Sequence, residues 1–511
     1  MIIISLFLVL VLILGFLLSN GFRLRNIYSG SDCYFQYSAA EHIKKNHYKM
    51  YDSIRYYSLP SAPDYPPLLH YLLAFLPSHK LVSYGRFLGS FFDIIHKISV
   101  FLLTLAITHQ PLIALFAVIL FSLVNSLSLD QVEASGRSMG SFFFTLLLAS
   151  FFFYQQTHHF IFFLLAILIL SLGFMSLKFF IQTTALTSLF LTLYFLDITY
   201  LLVFVLAFLL LFIFLREKFL VIIKTLFFTL RIWFSMRNTP HPGKKGYSAF
   251  KVSLFYFYLV GLIDLLLFFS LIFFKFHLPQ EFYFFLVVAI FFRVLSFLVF
   301  YVKWFFCIGE AYRYFSYNAF PSALCLSYLL VTYWTHLPFL ILTVITSLLA
   351  IFSLLLWQKE YQRNKLLFPT NALLRCINRL KKYPIKNLLV VPTPYSRNVA
   401  FLTKKKVCFA ISQQYFHLIR EFLWNVGNVQ DAIKRNKVSH IFVHKDYALF
   451  DRYSLPHAKI LFSDEFVLYK MPSSLFKKLM IVDFSYEYCL FRVRYINGSK
   501  FETLWQHDLA L

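Results

Sequence analysis

Acidic residues and cysteines are scarce in this 511-residue sequence. It has 23 Asp and Glu against 48 Lys and Arg, which gives a formal net charge of +25. No two cysteines form a C-x-x-C pair, so the cysteines indicate neither a metal site nor a readable disulfide framework. The sequence also lacks a G-x-G-x-x-G motif, a P-loop, and helix-turn-helix, RNP or zinc signatures. Nothing in it therefore indicates binding of a nucleotide or a nucleic acid.

Hydrophobic residues, by contrast, make up 59% of the chain, and phenylalanine alone supplies 67 residues. A soluble protein has no interior large enough for so many apolar side chains, whereas lipid contacts them directly. The composition therefore predicts an integral, multi-pass membrane protein, which we place in the cell (plasma) membrane. The first apolar segment lacks the basic start and the small-residue cleavage site of a signal peptide, so we expect it to remain as the first helix.

Apolar runs of membrane-spanning length predict about eleven helices in a membrane domain at residues 1–357. An odd number of spans puts the first loop, residues 19–84, on the same outer side as the C-terminal part of the chain. The same count puts the basic loop Arg216–Lys251 outside, which the positive-inside rule opposes, and the parity stays open. Pro321–Tyr333 is short enough to lie at the interface instead of crossing. The predicted spans are Ile2–Leu18, Gly85–Thr108, Leu112–Leu127, Ser141–Tyr154, Phe160–Ser176, Phe179–Leu196, Ile198–Leu215, Val252–Phe276, Phe282–Phe305, Pro321–Tyr333 and Leu337–Trp357.

Residues 358–511 differ in character, with 25 Lys and Arg against 11 Asp and Glu. Their alternation of helix and strand patterns predicts a small soluble α/β domain. We expect its basic surface to face membrane lipid head groups. The predicted elements are helices at Asn371–Lys382 and Phe416–Val426, strands at Asn387–Pro392 and Val438–Val443, and a final strand pair at Lys459–Phe462 and Phe466–Tyr469.

The first loop is long for a polytopic protein and carries several acids, which makes it a candidate for chemistry. Asp32 begins a predicted amphipathic helix, so in one interpretation Ser31 or Asp32 caps that helix. In the other, Asp32 is a base at the water–lipid boundary that accepts a proton from an incoming hydroxyl. The residues alone leave both interpretations open.

Charged residues within or beside apolar spans are further candidates, because a charge in the membrane is costly. Asp93 and Lys97 are four residues apart and are expected to pair on one helix face. Glu133 and Arg137 have the same spacing and lie at an outer span end, so either they pair with each other or they contact a substrate. Asp264 has no local partner in the sequence.

Several short motifs resemble those of the GT-C superfamily, polytopic glycosyltransferases that use polyprenyl- or dolichyl-phosphate sugars. Protein O-mannosyltransferases and the lipid A aminoarabinose transferase belong to it. The motifs are an early Asp in a long first loop (Gly30-Ser31-Asp32), an x-Pro-Pro-Leu turn (Tyr65–Leu68), an Arg that opens the next span (Arg86), a Lys that follows a Gly in a middle span (Gly173 and Lys178), and a Glu-x-x-Arg-Tyr stretch before a late helix (Gly309–Phe315).

The resemblance implies inverting transfer of a hexosyl or pentosyl group from a polyprenyl-phosphate carrier to an acceptor hydroxyl at the outer membrane face. Asp32 is the expected base, with Glu133 as a second catalytic candidate. Arg313 is expected to hold the lipid phosphate, because a guanidinium group binds phosphate oxygens in pairs. The expected helpers at the phosphate are Arg86, Arg137 and Lys178, and the expected substrate contacts are Tyr34, Asp64 and Tyr65.

The sequence departs from the mannosyltransferase branch at Cys33, which stands where that branch has the second acid of an Asp-Glu pair. An Asp-x-Asp motif and a W-W-D-like signature are also missing. The acceptor, whether lipid, glycan or protein, therefore stays open. No cofactor is certain, and a divalent cation, Mg²⁺ or Mn²⁺, stays open too.

Two other classes of function fit a polytopic basic protein. A transporter or flippase for lipids or lipid-linked sugars is expected to show internal repeats, and the sequence shows none. A non-catalytic membrane scaffold explains the basic tail but leaves Asp32, Arg313 and the Pro-Pro-Leu turn without a role.

Overall fold

A computed structural model describes residues 2–25, 31–50, 54, 57, 65–124, 135–236, 258–302, 304–309, 311–363, 369–391, 394–408, 438–444, 459–463, 466–470, 481–485 and 490–494. Within these ranges, the chain forms a helical membrane domain followed by a small domain that contains a β-sheet. This is the predicted fold class.

Each of the predicted apolar runs overlaps a helix. The helices up to residue 363 are α1 Ile2–Arg25, α2 Ser31–Lys45, α3 Leu68–Ala74, α4 Leu81–Gly85, α5 Leu88–Thr108, α6 Pro111–Ser122, α7 Arg137–Thr157, α8 Phe160–Phe174, α9 Lys178–Phe195, α10 Thr199–Leu215, α11 Glu217–Met236, α12 Leu262–Phe273, α13 Tyr283–Tyr301, α14 Arg313–Thr332 and α15 Leu337–Arg363. Short 3₁₀ turns lie at Ser78–Lys80, Gln280–Phe282 and Phe305–Ile308. Among the described residues, four segments are long and apolar enough to cross a membrane: Leu88–Thr108, Arg137–Thr157, Gln280–Tyr301 and Leu337–Leu356. The number of spans stays a prediction.

Helix α14 lies at the centre of the membrane domain, packed against α6, α12 and α13. Every residue from Tyr314 to Ser327 is buried. The helix begins eight residues before the predicted run Pro321–Tyr333, so that predicted start is wrong. Whether the segment crosses the membrane or lies at the interface stays a prediction. Proline usually stops a helix, but Pro321 lies inside α14. In a membrane domain, neighbouring helices satisfy the backbone groups that such a proline frees.

The basic segment after Arg216 is not a loop over its first half, because α11 occupies it. Phe219 of α11 packs edge-on against Phe208 of α10, with ring centroids 4.9 Å apart. The ammonium of Lys218 donates a hydrogen bond to the carbonyl of Met50 in the first loop, at 2.7 Å. The start of α11 therefore lies on the side of the first loop, as the helix count predicts. Residues 237–251 lie outside the described residues.

The first loop folds into helices α2, α3 and α4, and the predicted helix after Asp32 is confirmed as α2. Helix α2 packs against α3 on one side and against a helix of the C-terminal domain on another. This contact places the C-terminal domain on the side of the first loop, as predicted.

The C-terminal domain contains helices α16 Asn371–Leu380 and α17 Pro394–Thr403. Its four-stranded sheet has the order β1-β2-β4-β3, with β1 parallel to β2 and antiparallel pairing elsewhere. A separate hairpin, β5–β6, follows, so the strand pair that we expected to be the last is not. The predicted helix Phe416–Val426 lies outside the described residues. The strands are β1 Leu388–Val391, β2 His440–His444, β3 Lys459–Ser463, β4 Phe466–Lys470, β5 Ile481–Ser485 and β6 Leu490–Arg494.

The predicted pair of Asp93 and Lys97 is confirmed inside the membrane domain. The Lys97 ammonium lies 2.6 Å from a carboxylate oxygen of Asp93, and both side chains are buried. A Cβ atom added to Gly15 of α1 would lie 3.0 Å from this ammonium. The absence of a side chain at Gly15 therefore lets α1 pack over the ion pair.

Asp264 has a partner after all, on another helix. Its carboxylate interacts electrostatically with Arg293 of α13, and Asn318 and Ser322 of α14 lie beside it. Asp264 and Arg293 are both buried. The pair links α12 to α13 next to the central helix.

Removing one partner of the Asp93–Lys97 pair is expected to lower the stability of the protein strongly. Removing the other partner as well is expected to recover most of that loss. Asp93→Leu leaves a buried ammonium without its partner and is expected to lower the free energy of unfolding by about 3–5 kcal/mol. Combining it with Lys97→Met removes both charges and is expected to restore most of that stability. Thermal unfolding of the detergent-purified protein measures both effects. A double variant less stable than Asp93→Leu alone would contradict the role of the pair.

Candidate functional site

The Tyr-Pro-Pro-Leu turn of the first loop meets the connection between α8 and α9. The backbone N–H of Leu68 donates to the carbonyl of Met175 at 2.8 Å. The ammonium of Lys178, the first residue of α9, lies 5.4 Å from the centroid of the Tyr65 ring, in a cation–π contact. The structure thus brings together two residues predicted for the site, Tyr65 and Lys178.

Helix α7 begins at the same place. A Cβ atom at Gly136 would overlap the carbonyl oxygen of Ser176, so only glycine permits this approach of the two backbones. Arg137 follows as the first residue of α7, and its N–H contacts the hydroxyl of Ser135 at 3.4 Å. One helical turn later, Gly140 packs beside Leu177 and Tyr317. The starts of α7 and α9 are therefore fixed side by side.

The start of α14 contacts the start of α9 through Phe179. The Arg313 guanidinium lies 5.6 Å from the centroid of the Phe179 ring, and the Tyr314 ring lies 5.1 Å from the same centroid. Gln182 of α9 donates to the carbonyl of Ile308, which also accepts a hydrogen bond from the Tyr314 hydroxyl at 2.7 Å.

Gly309 makes this approach of α14 to α9 geometrically feasible. It has a φ of +122°, and a Cβ atom on it would lie 2.7 Å from the Phe179 ring. Both the backbone conformation and the space therefore require glycine.

Arg137, Lys178 and Arg313 are each the first residue of a helix, and we call these three residues the cation cluster. A helix start carries a partial positive charge from its unpaired N–H groups, so a cation there is unfavourable unless an anion lies nearby. Some of these N–H groups have acceptors in the protein: the Ser135 hydroxyl accepts from Arg137, and backbone carbonyls accept from Phe180 and Tyr314. The cluster still places three cationic side chains at helix starts, which is where proteins often bind anions.

His70 of α3 links helix α2 to the Tyr65–Leu68 turn, which we call the Tyr65 turn. That turn contacts Lys178 of the cation cluster. Burial lowers the pKa of His70 to about 3, so the ring is neutral and its Nε2–H donates to the amide oxygen of Gln36 in α2. The His70 ring also lies 6.5 Å from that of Tyr65. Asp32 lies one helical turn before Gln36 in α2. The Gln36 side of α2 is thus turned toward the Tyr65 turn.

Other predicted residues stand apart from this arrangement or lie outside the described residues. Tyr34 is fully buried between Tyr37 and Phe401, and its contact with a substrate stays a prediction. Arg86 donates to the carbonyl of Ser83 and lies over the Phe87 ring. The described contacts of Arg86 do not reach the cation cluster, and its role at a phosphate also stays a prediction. Asp64, Glu133 and the side chain of Asp32 lie outside the described residues.

Sequence reasoning missed four residues that shape the site. His70 and Gln36 connect α2 to the Tyr65 turn, and Gly136 and Gly309 allow the close approaches of α7 and α14. A single histidine in an apolar helix is ordinary in a core, so no pattern singled out His70. For Gly136, the one signal was its position directly before a candidate arginine.

The part of the chain that the structure describes contains no group of three or more His, Cys, Asp and Glu side chains arranged to hold a metal ion. The carboxylates that the sequence offers, those of Asp32, Asp64 and Glu133, lie outside it. A divalent cation at this site stays a prediction.

Comparisons with known proteins identify the fold. No protein-family model and no curated protein sequence matches the chain. Archaeal oligosaccharyltransferase AglB from Archaeoglobus fulgidus, in complex with an inhibitory peptide and a dolichol-phosphate, is similar in structure. Its TM-score is 0.60 at 13% identity, over 91% of this chain and 74% of that one. The Archaeoglobus fulgidus oligosaccharyltransferase in complex with Zn and sulfate has a TM-score of 0.57 at 14% identity, over 87% of this chain and 69% of that one.

ArnT from Cupriavidus metallidurans has a lower TM-score of 0.41 at 12% identity, over 92% of this chain and 98% of that one. The likeness to the archaeal oligosaccharyltransferase extends beyond the membrane helices into the C-terminal part of the chain. The chain therefore shares its fold with the archaeal oligosaccharyltransferase.

Proposed function

We propose that this protein transfers a sugar from a polyprenyl-phosphate carrier to an acceptor hydroxyl at the membrane surface, on the side of the first loop. The observation that carries the proposal is the cation cluster, whose three helices start near one another. The starts of α7 and α9 approach at Gly136 and Ser176, and Arg313 of α14 lies over Phe179 of α9. Lys178 of α9 lies against Tyr65. The fold supports it, because the archaeal oligosaccharyltransferase of the same fold has been solved with a dolichol-phosphate.

The phosphate of the carrier lies at the cation cluster in this proposal. Arg313 binds two phosphate oxygens with its guanidinium fork, and its contact with Phe179 fixes the direction of that fork. Lys178 and Arg137 add point charge and backbone N–H groups from α9 and α7. Positive charge at this point stabilises the phosphate most strongly as it leaves with its full charge.

Transfer then needs a base on the opposite side of the sugar. The acceptor oxygen forms a bond to the anomeric carbon while the bond from that carbon to the phosphate oxygen breaks, which inverts the configuration. The electron pair of the broken bond stays on the polyprenyl phosphate. Asp32, on the face of α2 turned toward the Tyr65 turn, takes the hydroxyl proton. The acceptor is a lipid, a glycan or a protein.

The Asp32→Asn variant tests the base. Asparagine caps a helix start as well as aspartate does, so the substitution removes the base without removing a cap. We expect transfer to fall by about 10²- to 10⁴-fold, with unchanged binding of the lipid-linked sugar. Transfer and binding are measured on the same purified preparations, with Ser31→Ala as the control for capping. Full transfer by Asp32→Asn would give the role of base to Glu133 or Asp64.

Substitutions of Arg313 test the phosphate site. Arg313→Ala is expected to weaken binding of a polyprenyl phosphate by about 10- to 100-fold, since it removes a charge-assisted contact. Arg313→Lys keeps the charge without the fork and is expected to lie between Arg313→Ala and the wild type. The exposed Arg375 of α16 offers a matched control, Arg375→Ala. Normal polyprenyl-phosphate binding by Arg313→Ala would show that the phosphate does not bind at the cation cluster. Movement of the lipid across a vesicle membrane without sugar transfer would favour a flippase.

Glycine-to-alanine substitutions on α7 test the geometry of the cation cluster. Gly136→Ala forces the Ser176 backbone away and so separates Arg137 from Lys178. We expect it to lower both polyprenyl-phosphate binding and transfer at least about tenfold, by the overpacking cost of about 1–3 kcal/mol. Gly140→Ala meets only side-chain atoms, the nearest 3.2 Å away, and is expected to change little. Equal effects of the two variants in the binding assay would argue against a special approach at Gly136.

A further inference from the structure

The C-terminal domain contacts helix α2 on the face opposite to the helical position of Asp32. The ammonium of Lys404, directly after α17, lies 2.7 Å from both carboxylate oxygens of Glu41. The Phe401 ring of α17 packs against the rings of Tyr34 and Tyr37, with centroids 5.7 and 5.8 Å away. Tyr34 and Tyr37 have no exposed surface.

The spacing of these contacts places them on one face of α2. Tyr34, Tyr37 and Glu41 are three and four residues apart, so they share a face. Gln36 lies half a turn away from Tyr34, on the other face, and Asp32 occupies the position one turn before Gln36. The C-terminal domain therefore holds one face of α2, while the opposite face turns toward His70 and the Tyr65 turn.

The backbone at Lys404 shows what its side chain adds. Lys404 has a φ of +58°, and its N–H closes the end of α17 on the carbonyl of Ala400 at 2.9 Å. Glycine is the favoured residue in this left-handed position after a helix. A lysine there is unfavourable for the backbone, so its value to the structure lies in its ammonium group.

The charges around Lys404 make Glu41 its decisive contact. Burial lowers the pKa of Lys404, Glu41 raises it, and the nearby Lys45 and Lys381 lower it further. The ammonium also lies 3.7 Å from the centroid of the Phe401 ring. In this basic surrounding, the carboxylate of Glu41 attracts the ammonium toward α2.

We infer that Lys404 is a positioning residue for sugar transfer: by pairing with Glu41 it fixes helix α2, and with α2 the distance between Asp32 and the cation cluster. This inference rests on the proposed function. The phosphate site is built from α7, α9 and α14, none of which contains Lys404 or Glu41. Loss of the pair therefore changes the chemical step and leaves donor binding as it is.

The variant Lys404→Gly tests the inference, because glycine suits the backbone and only the ammonium contact is lost. We expect kcat to fall about 10- to 100-fold with an unchanged KM for the lipid-linked sugar. Amide hydrogen exchange of the full-length protein is expected to become faster over residues 33–45 of α2. Lys404→Arg keeps a cation and is expected to restore most of kcat and of the protection of α2.

The neighbouring Lys405 provides the matched control. Its ammonium donates to the carbonyl of Tyr383, within the C-terminal domain, at 2.6 Å. Lys405→Ala is expected to leave both kcat and the exchange of α2 at wild-type values. The exchanged pair Glu41→Lys with Lys404→Glu is expected to recover part of what either single variant loses.

The outcomes separate this inference from the proposed function. Wild-type kcat and wild-type exchange of α2 in Lys404→Gly would overturn the inference, as would a loss of donor binding equal to the loss of kcat. If the wild-type protein transfers no sugar, the proposed function fails. In that case hydrogen exchange still tests whether Lys404 fixes α2. Faster exchange of α2 in Lys404→Gly but not in Lys405→Ala shows that it does.

Discussion

The burial of helix α14 on all sides is the constraint on which the candidate site depends. A helix enclosed from Tyr314 to Ser327 has no freedom to slide or turn without disturbing α6, α12 and α13. Arg313 stands at the first residue of this helix, so its position is set by the packing of the membrane interior. The buried pair of Asp264 and Arg293 strengthens this arrangement, because breaking it would leave an uncompensated charge beside α14.

Three cationic side chains stand at helix starts. Arg137, Lys178 and Arg313 are the first residues of α7, α9 and α14, where a cation opposes the helix dipole by about 0.3–1 kcal/mol unless an anion lies nearby. Asp32 and the cation cluster lie on separate parts of the chain. The first loop carries Asp32, the membrane helices carry the cations, and His70 with the Tyr65 turn joins the two.

Features that depend on local sequence were predictable, whereas features that depend on packing between helices were not. Apolar runs predicted the four described helices that are long and apolar enough to cross a membrane, because lipid contact demands hydrophobicity along the whole segment. Ion pairs four residues apart, such as Asp93 and Lys97, were equally readable, because helix geometry alone brings them together. The start of α14 was misjudged because proline stops isolated helices, whereas Pro321 lies in one that neighbouring helices enclose. Helix α11 was predicted as a loop because this segment is rich in basic residues, yet Phe219 on one of its faces packs on α10.

By itself, the sequence determined that the protein is helical and membrane-bound, that a sheet domain follows, and which short motifs contain Asp32, Tyr65, Lys178 and Arg313. These properties depend on composition, periodicity and local spacing. Only the tertiary structure decided that Lys178 lies against Tyr65 and that Lys404 lies against Glu41, 363 residues away along the chain. Such contacts arise when separate helices pack. Packing depends on the shapes of whole surfaces, including the missing side chains of Gly136 and Gly309, and no local pattern records those shapes.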